Sequence, residues 1–228
     1  MEHYEIEIKS LLEGKEHAER IAQRMQELDP DFCHDGSHRQ LNHYFINGNL
    51  IGLVEALRPY VHVEKQAYLE KIASKAKAYS LRSREIRTAG GAKVIFVLKA
   101  SVDDGTSFNG SARLEFETEV EMPLEELDRK ILEAGFVYQA KWSRERSEYR
   151  YRGLNVSIDR NAGYGYLAEF EKIIEDDAGA EAAKSLIRRE MADLGVEELP
   201  QERLERMFKH YNDNWDKYYG TEKTFIVE

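Results

Sequence analysis

Charged and aliphatic side chains alternate near the N terminus in a pattern that could do chemistry. Glu5-Ile6-Glu7-Ile8-Lys9 places two carboxylates and an ammonium group on one face of a strand, because successive side chains point to opposite faces. On one strand alone, this alternation is typical of a solvent-exposed face. Carboxylate oxygens are also the ligands that Mg²⁺ prefers. The function of this face therefore depends on whether other strands carry matching charges.

Later segments repeat the alternation, with cations and carboxylates at the charged positions and apolar residues between them. The cations are Lys9, Arg82, Arg84, Lys99, Arg113, Arg144 and Arg146. The carboxylates are Glu5, Glu7, Glu115, Glu117, Asp159, Glu169 and Glu171. Arginine side chains suit phosphate oxygens, and carboxylates can hold Mg²⁺ or Mn²⁺ beside them. This combination predicts phosphoryl or nucleotidyl transfer.

Residue periodicity predicts an α+β fold with eight strands. The strands are expected at Tyr4–Leu12, Arg39–Ile46, Tyr79–Thr88, Lys93–Ser101, Ala112–Met122, Arg144–Tyr151, Leu154–Arg160 and Tyr166–Ile174. Helices are expected at Lys15–Leu28, about Val63–Ala78, Leu124–Ala134, Ala180–Leu194 and in the tail from Leu199 to Gly220. If helices cover the apolar faces, the charged faces point inward. We therefore expect a closed eight-stranded antiparallel β-barrel, a tunnel wide enough for one small ligand, with helices packed on its outside.

One domain is expected. Residues 1–178 would form the tunnel domain, with a helical insertion at about 55–78, and residues 179–228 would add C-terminal helices to the same domain. The insertion is interpreted as a solvated helix or a homodimer contact rather than a substrate lid. The tail aromatics are expected to pack the last helix on the barrel, with capping of a bound base as the alternative. They are Tyr211, Trp215, Tyr218 and Tyr219.

Composition restricts the class of protein. The 228-residue chain carries a formal net charge of -10, which argues against a nucleic-acid partner, since coating a phosphate backbone needs a basic surface. Cys33 is the single cysteine, which excludes an internal disulfide and is compatible with the cytoplasm. The absence of a long apolar run predicts no membrane span. The seven histidines lack zinc-site spacing and are expected at the surface.

The ordered motifs resemble those of the CYTH domains, also called triphosphate tunnel metalloenzymes. The E-x-E-x-K signature of that family stands at Glu5 to Lys9. It is followed in order by QLNHYF, LRSR, VLK, RLEFE, RER, SID and LAEFE, so that the resemblance covers roughly Glu2 to Ile174. Two departures are Ile46, where the family often has Asp, and the later basic pair, for which Lys141 and Arg144 compete with Arg144 and Arg146.

The resemblance implies roles for individual residues. It implies that Mg²⁺ or Mn²⁺ is held by Glu5, Glu7, Asp159, Glu169 and Glu171, with Glu115 and Glu117 serving a second metal. It implies that a triphosphate is bound by Lys9, Arg82, Arg84, Lys99, Arg113 and Arg146, with Arg144 as a further candidate. Lys9 and Lys99 are the candidate catalytic residues, because a lysine beside other cations can help deprotonate a nucleophile.

Three functions remain open at this stage. The leading expectation is a triphosphatase that hydrolyses ATP, thiamine triphosphate or tripolyphosphate, because hydrolysis needs no base pocket and the sequence identifies none. The alternative is a class IV adenylate cyclase, which converts ATP to cyclic AMP and pyrophosphate. A non-catalytic polyphosphate or nucleotide-binding module is less favoured, since anion binding alone does not call for so many carboxylates.

Overall fold

The computed structural model describes residues 4–101, 113–175 and 177–226. This part of the chain contains eight strands and six α-helices. The strands are β1 (Tyr4–Leu11), β2 (Cys33–Ile46), β3 (Ala78–Thr88), β4 (Gly91–Ser101), β5 (Arg113–Glu119), β6 (Val137–Tyr151), β7 (Leu154–Asn161) and β8 (Gly165–Ile174). The helices are α1 (Lys15–Leu28), α2 (Leu50–Leu57), α3 (Val63–Lys75), α4 (Leu124–Glu133), α5 (Ala180–Asp193) and α6 (Gln201–Tyr218).

All eight strands belong to one antiparallel sheet in the order β1-β8-β7-β6-β2-β3-β4-β5. The number of strands and the α+β class are therefore as predicted. Strands β1 and β5 stand at the two ends of the order, and no ladder between them joins the residues that the structure describes. Closure of the sheet into a barrel accordingly stays a prediction, as does the single-domain organisation.

The chain divides into two compact units. Unit 1 consists of residues 1–39 and 143–228, and unit 2 of residues 40–142. Strands β2 and β6 each contribute residues to both units. Each unit has its own hydrophobic core, so the packing of each is described separately.

In unit 1, helices α1 and α5 cover the apolar face of β1, β7 and β8. Ile8, Val156 and Phe170 from these strands share one core with Ile21 of α1 and Ile187 of α5. Each such fully buried aliphatic or aromatic side chain contributes about 1.5–3 kcal/mol of transfer free energy. The predicted pairing of an apolar strand face with covering helices is confirmed here, and it leaves the charged face on the other side of the strands.

Helix α6 and the tail that follows it pack around the turn between β7 and β8. Tyr211 is fully buried, and burial raises the pKa of its hydroxyl. Its ring stacks on that of Tyr218, with centroids 6.0 Å apart. The backbone amide of Phe225 donates to the carbonyl of Gly163 at 2.6 Å. The expectation that aromatic residues pack the last helix against the sheet is confirmed for Tyr211, whose ring centroid lies 6.1 Å from that of Tyr164 in this turn.

In unit 2, helices α2, α3 and α4 cover the apolar face of β3, β4 and β5. Phe96 and Phe116 share a core with Leu53 of α2, Ile72 of α3 and Ile131 of α4. The segment interpreted as a solvated insertion is therefore an element of this core, and only its outer side is exposed. Helix α2 was not predicted, because its apolar run LIGLVEAL has no clear helical period.

Two strands begin far earlier than the sequence predicts. Strand β2 starts at Cys33 rather than Arg39, and β6 starts at Val137 rather than Arg144. Within unit 1, the early part of β2 is tied to β6 by the Ser37 and Ser147 hydroxyls, whose oxygens are 2.8 Å apart. The early part of β2, CHDGSHR, is rich in polar residues, so side-chain bonds between strands replace there the hydrophobic alternation on which the prediction depended.

The expectation that every histidine lies at the surface is wrong for His43. This side chain is 4% exposed, and its Nδ1 lies 2.6 Å from Oδ2 of the buried Asp128. The reason is its position on β2, where it alternates with Leu41 and Phe45 on the face covered by helices.

Candidate active site

In unit 1, the register of β1 and β8 places four charged residues on one face. Glu7 lies opposite Glu171, and Lys9 lies opposite Glu169. Directly opposed residues of antiparallel strands point to the same face, and like charges in such positions destabilise the pair. The Nζ atom of Lys9 lies 2.6 Å from Oε1 of Glu7 and 3.7 Å from Oε1 of Glu169. One ammonium group thus offsets part of the negative charge on this face.

Strand β6 adds two arginines to the same face, and both bind a buried carboxylate of β7. Asp159 is 0% exposed and lies opposite Arg146. Arg146 donates from Nε to Asp159 Oδ1 and from Nη2 to Oδ2, both at 2.7 Å. Arg144 Nη1 donates to Asp159 Oδ2 at 2.7 Å, and Arg146 Nη2 also reaches Glu169 Oε2 at 2.7 Å. The carboxylates therefore fix the direction of both arginines.

Electrostatic interactions keep Glu169 and Arg146 ionised. Burial by itself raises the pKa of Glu169, but the positive charges of Lys9, Arg146 and Arg144 outweigh burial and lower this pKa to about 2. Burial likewise lowers the pKa of Arg146, but its hydrogen bonds and charge interactions with Asp159 and Glu169 together outweigh burial, so its pKa lies above the usual value. Both groups accordingly carry their charge at neutral pH.

The remaining predicted residues of unit 1 lie along the same strands. Glu171 Oε1 accepts a hydrogen bond from Asn155 Nδ2 at 3.2 Å, and Glu169 Oε2 accepts one from Ser157 Oγ at 3.4 Å. Glu5 is exposed and lies opposite Ile173 near the end of the ladder. The carboxylates of Glu5, Glu7 and Glu171 are thus nearer to solvent than that of Asp159.

Sequence reasoning missed His38 as a residue near this cluster. Its side chain is 10% exposed, and its Nδ1 lies 3.6 Å from Oε2 of Glu148. Burial lowers the pKa of His38 below its usual value, although the carboxylate of Glu148 acts in the opposite direction. Because His38 alternates with Gln40, the sequence could have placed both on one face of β2. The predicted start of β2 at Arg39 left His38 outside the strand.

In unit 2, β3 presents two arginines on the face opposite the helices. Arg82 Nη1 donates to the hydroxyl of Tyr44 at 3.3 Å, and its guanidinium carbon lies 4.9 Å from the centre of the Tyr44 ring. Arg84 donates from Nε to Asn42 Oδ1 at 2.8 Å and from Nη1 to Glu117 Oε1 at 3.0 Å. Side chains on β2 and β5 therefore hold the two predicted arginines in place.

Lys99 shares the face of these arginines by its register. It lies opposite Glu115, and Val97 lies opposite Glu117. Arg113 is paired with Ser101 through the backbone. The side chains of Arg113 and Glu115, and the whole of Ala112, fall outside the described residues, so the roles of Arg113 and Glu115 remain predictions.

An aromatic pair that the sequence did not predict lies beside Arg82. The ring centroids of Tyr44 and Trp142 are 5.9 Å apart, with the ring planes tilted by 54°. Both side chains are partly exposed. Aromatic faces of this kind can stack on a planar organic group.

The carboxylates of unit 1 have the right chemistry for a hard divalent cation. The opposed pair Glu7 and Glu171 is an arrangement that such a cation would stabilise. Among the side chains that the structure describes, no group of three or more His, Cys, Asp or Glu residues is arranged to hold a metal ion. The assignment of metal ligands therefore stays a prediction.

The fold and site define an α+β protein whose single sheet carries ion-paired, charged faces in both units. A family model of the CYTH domain matches residues 54–203, which is more than half of the chain. The protein therefore belongs to the CYTH domain family. The match begins after the Glu5 to Lys9 motif, so it rests on the other parts of the chain.

Solved structures show the same fold at low sequence identity. The PH1819 protein of Pyrococcus horikoshii has a TM-score of 0.61 and 18% identity, covering 91% of this chain and 99% of that one. The PH1012 protein of the same organism has a TM-score of 0.59 and 19% identity, with coverages of 85% and 92%. A proposed adenylate cyclase of Vibrio parahaemolyticus has a TM-score of 0.56 and 14% identity, with coverages of 90% and 98%.

No curated protein matches the chain. Among the helices of the described residues, none is both long enough and apolar enough to cross a membrane.

Proposed function

We propose that this protein is a divalent-metal-dependent enzyme that hydrolyses an organic or inorganic triphosphate. Membership of the CYTH family supports this reaction class, because that family acts on triphosphates. The observation that carries the proposal is the face of unit 1, where Glu7 opposes Glu171 and Lys9 opposes Glu169. A carboxylate pair suited to a cation stands there beside groups suited to phosphate oxygens.

The metal ligands in this proposal are Glu5, Glu7, Asp159, Glu169 and Glu171, with Glu115 and Glu117 for a second ion. Both oxygens of Asp159 accept hydrogen bonds from arginines, so this residue also acts by fixing Arg144 and Arg146. A bound Mg²⁺ or Mn²⁺ supplies neutralisation of phosphate charge. Closure of the eight strands into a tunnel belongs to the same proposal, since helices already cover the apolar strand face in each unit.

The basic residues bind the phosphates in this scheme. Arginine forks contact two oxygens at once, and Arg82 and Arg84 are already held by neighbouring side chains. Water attacks the terminal phosphorus, the bond to the bridging oxygen breaks, and the remaining diphosphate leaves. Lys99 helps to remove the proton of the attacking water. The ammonium group of Lys9, which is paired with Glu7 and Glu169, instead stabilises negative charge on the phosphate oxygens. Positioning and charge stabilisation supply most of the rate enhancement in such reactions.

The second candidate is an adenylate cyclase, in which the ribose 3′-hydroxyl attacks the α-phosphorus and pyrophosphate leaves. The aromatic pair Tyr44 and Trp142 beside Arg82 favours keeping this candidate, because a planar base can stack on such a pair. The structural neighbour described as a proposed cyclase has the same fold. The aromatic pair is equally compatible with hydrolysis of an organic triphosphate.

Product analysis distinguishes these functions. The full-length protein is incubated separately with ATP, thiamine triphosphate and tripolyphosphate, each with Mg²⁺ or Mn²⁺, and the products are resolved by chromatography. Release of orthophosphate supports the triphosphatase. Cyclic AMP with pyrophosphate would replace it by the cyclase. Binding of these compounds without any turnover would instead indicate the non-catalytic binding module.

A further inference from the structure

Asp128 of α4 is a buried carboxylate that lies within hydrogen-bond distance of side chains from three other elements of unit 2. Its Oδ2 lies 2.6 Å from Nδ1 of His43 on β2, and its Oδ1 accepts from the Ser83 hydroxyl of β3 at 2.5 Å. The Tyr138 hydroxyl of β6 donates to Oδ2 at 2.7 Å. Asp128 is 4% exposed. These four side chains are called the Asp128 cluster.

The carboxylate of this cluster is charged. Burial by itself raises the pKa of Asp128, but the interactions with His43, Ser83 and Tyr138 together outweigh burial, and the pKa lies below the usual value for aspartate. Its neighbours on α4 include the buried Leu127 and Ile131. Apolar residues in place of buried, hydrogen-bonded charges are often equally or more stabilising. Stability alone therefore does not explain why a charged residue occupies this buried position.

The position of the cluster on β2 and β3 indicates a role in fixing the opposite face of these strands. His43 lies between Asn42 and Tyr44 on β2, so it points to the opposite face from both of them. Asn42 accepts a hydrogen bond from Arg84, and Tyr44 accepts one from Arg82. These two bonds join residue 42 to residue 84 and residue 44 to residue 82. This order fits an antiparallel pair of strands in which His43 lies opposite residue 83.

Ser83 has the equivalent position on β3. It lies between Arg82 and Arg84 and is fully buried. The two oxygens of the Asp128 carboxylate therefore contact His43 and Ser83. His43 lies between Asn42 and Tyr44, and Ser83 lies between Arg82 and Arg84. A rigid contact behind the sheet fixes the local geometry of the strand pair whose front face presents the two arginines.

We propose that Asp128 is a positioning residue for Arg82 and Arg84, which bind the triphosphate in the proposed function on which this inference rests. Hydrogen bonds from β2 and β3 to a single carboxylate hold the two strands at a fixed separation and twist. Small displacements of binding groups reduce the effectiveness of a preorganised site. Loss of either bond therefore weakens phosphate binding without removing a group that touches substrate.

The test uses Asp128→Asn and Ser83→Ala in the full-length protein, with Ile131→Val as control. Ile131 is a fully buried residue of the same helix, and its truncation to Val lowers stability while leaving all four side chains of the cluster in place. Tripolyphosphate affinity is measured by calorimetry, KM and kcat by phosphate release, and stability by thermal unfolding. We expect both cluster variants to raise Kd and KM about tenfold with a much smaller change in kcat. The control lowers the unfolding temperature and leaves Kd unchanged.

A second readout needs no substrate. Hydrogen exchange at Nε of Arg84, followed by NMR, reports the bond to Asn42. We expect exchange to accelerate in both cluster variants and to remain at the wild-type rate in Ile131→Val. Unchanged exchange in folded cluster variants would overturn the inference, as would unchanged Kd. If the wild-type protein binds none of tripolyphosphate, ATP and thiamine triphosphate, the proposed function is wrong, and the exchange rates still decide whether Asp128 positions Arg84.

Discussion

Arg146 contacts Asp159 through two nitrogens, with Nε donating to Oδ1 and Nη2 donating to Oδ2, both at 2.7 Å. The two residues lie directly opposite each other on β6 and β7. Such a two-point contact fixes both the position and the plane of the guanidinium group. The same carboxylate also accepts from Arg144, so one buried side chain orients two of the predicted phosphate-binding residues.

Replacing Asp159 by Asn should destabilise unit 1. The change removes the buried carboxylate that Arg144 and Arg146 share, which we expect to lower the free energy of unfolding by about 3 kcal/mol. Urea denaturation measures this quantity. The control is Glu145→Gln, which breaks a pair with Arg39 whose side chain is 75% exposed. We expect the control to cost less than about 1 kcal/mol, and equal losses in both variants would contradict the account.

Glu169 should make stability depend on pH in acid. Its pKa is lowered from 4.5 to about 2 in the folded protein, so the folded state holds its proton less tightly than the unfolded state. The resulting stabilisation is present above pH 4.5 and is lost as the pH falls towards 2, because the unfolded state takes up the proton first. Urea unfolding between these pH values measures the loss.

The variant Glu169→Gln removes this titrating group. We expect its unfolding free energy to fall less steeply with decreasing pH than that of the wild type. Glu202→Gln is the matched control, since the side chain of Glu202 on α6 is 92% exposed. A slope in Glu169→Gln equal to that of the wild type would show that Glu169 is not the group responsible.

Arg84→Lys should weaken triphosphate binding. Lysine keeps the charge but loses the fork that contacts Asn42 and Glu117, and a point charge cannot replace a two-point contact. We expect KM to rise roughly tenfold with little change in kcat, equivalent to about 1.4 kcal/mol of binding. Steady-state kinetics on tripolyphosphate measures both constants.

Arg87→Lys is the control on the same strand. Arg87 is 62% exposed and pairs with Glu85, and by alternation it belongs to the other face of β3. Its kinetic constants should stay at wild-type values. A similar rise of KM in both variants would indicate a general effect of charge rather than a specific role of Arg84.

Gly163→Ala should destabilise unit 1 more than Gly165→Ala. Both glycines have positive φ, +90° and +78°, so both substitutions carry backbone strain. A Cβ at Gly163 would also lie 2.5 Å from the Tyr211 ring and 2.9 Å from that of Phe225, whereas one at Gly165 meets nothing within 4 Å. We expect an extra loss of about 1–3 kcal/mol at Gly163. Thermal unfolding of both variants tests this difference, and equal losses would contradict the packing of the tail on this turn.

Much of the fold could be predicted because alternation of charged and aliphatic residues sets strand faces directly. Glu7 and Lys9 share a face in the structure, as their alternation with Ile6 and Ile8 predicts. The pairing of β1 with β8 then places Glu171 and Glu169 opposite them. Closure of the sheet could not be predicted with the same security, since no local pattern reports which distant strand pairs with β1.

The candidate site was predicted as a set of residue types rather than as a set of contacts. The sequence indicates that Asp159 and Arg146 share a face, but not that both oxygens of Asp159 accept from arginines. His43 and Asp128 were missed because each is a polar residue at an apolar position of its element. Such pairs are visible only when separate elements pack, because the two residues lie 85 positions apart in the sequence.

The most direct test of the central claim is phosphate release from tripolyphosphate as a function of Mn²⁺ or Mg²⁺ concentration, for the wild type and Glu171→Gln. We predict no release in the presence of EDTA, saturable activation by metal in the wild type, and at least a roughly tenfold weaker activation in the variant with unchanged unfolding. Wild-type release that is equally fast in EDTA, or an identical metal dependence in Glu171→Gln, would contradict the account.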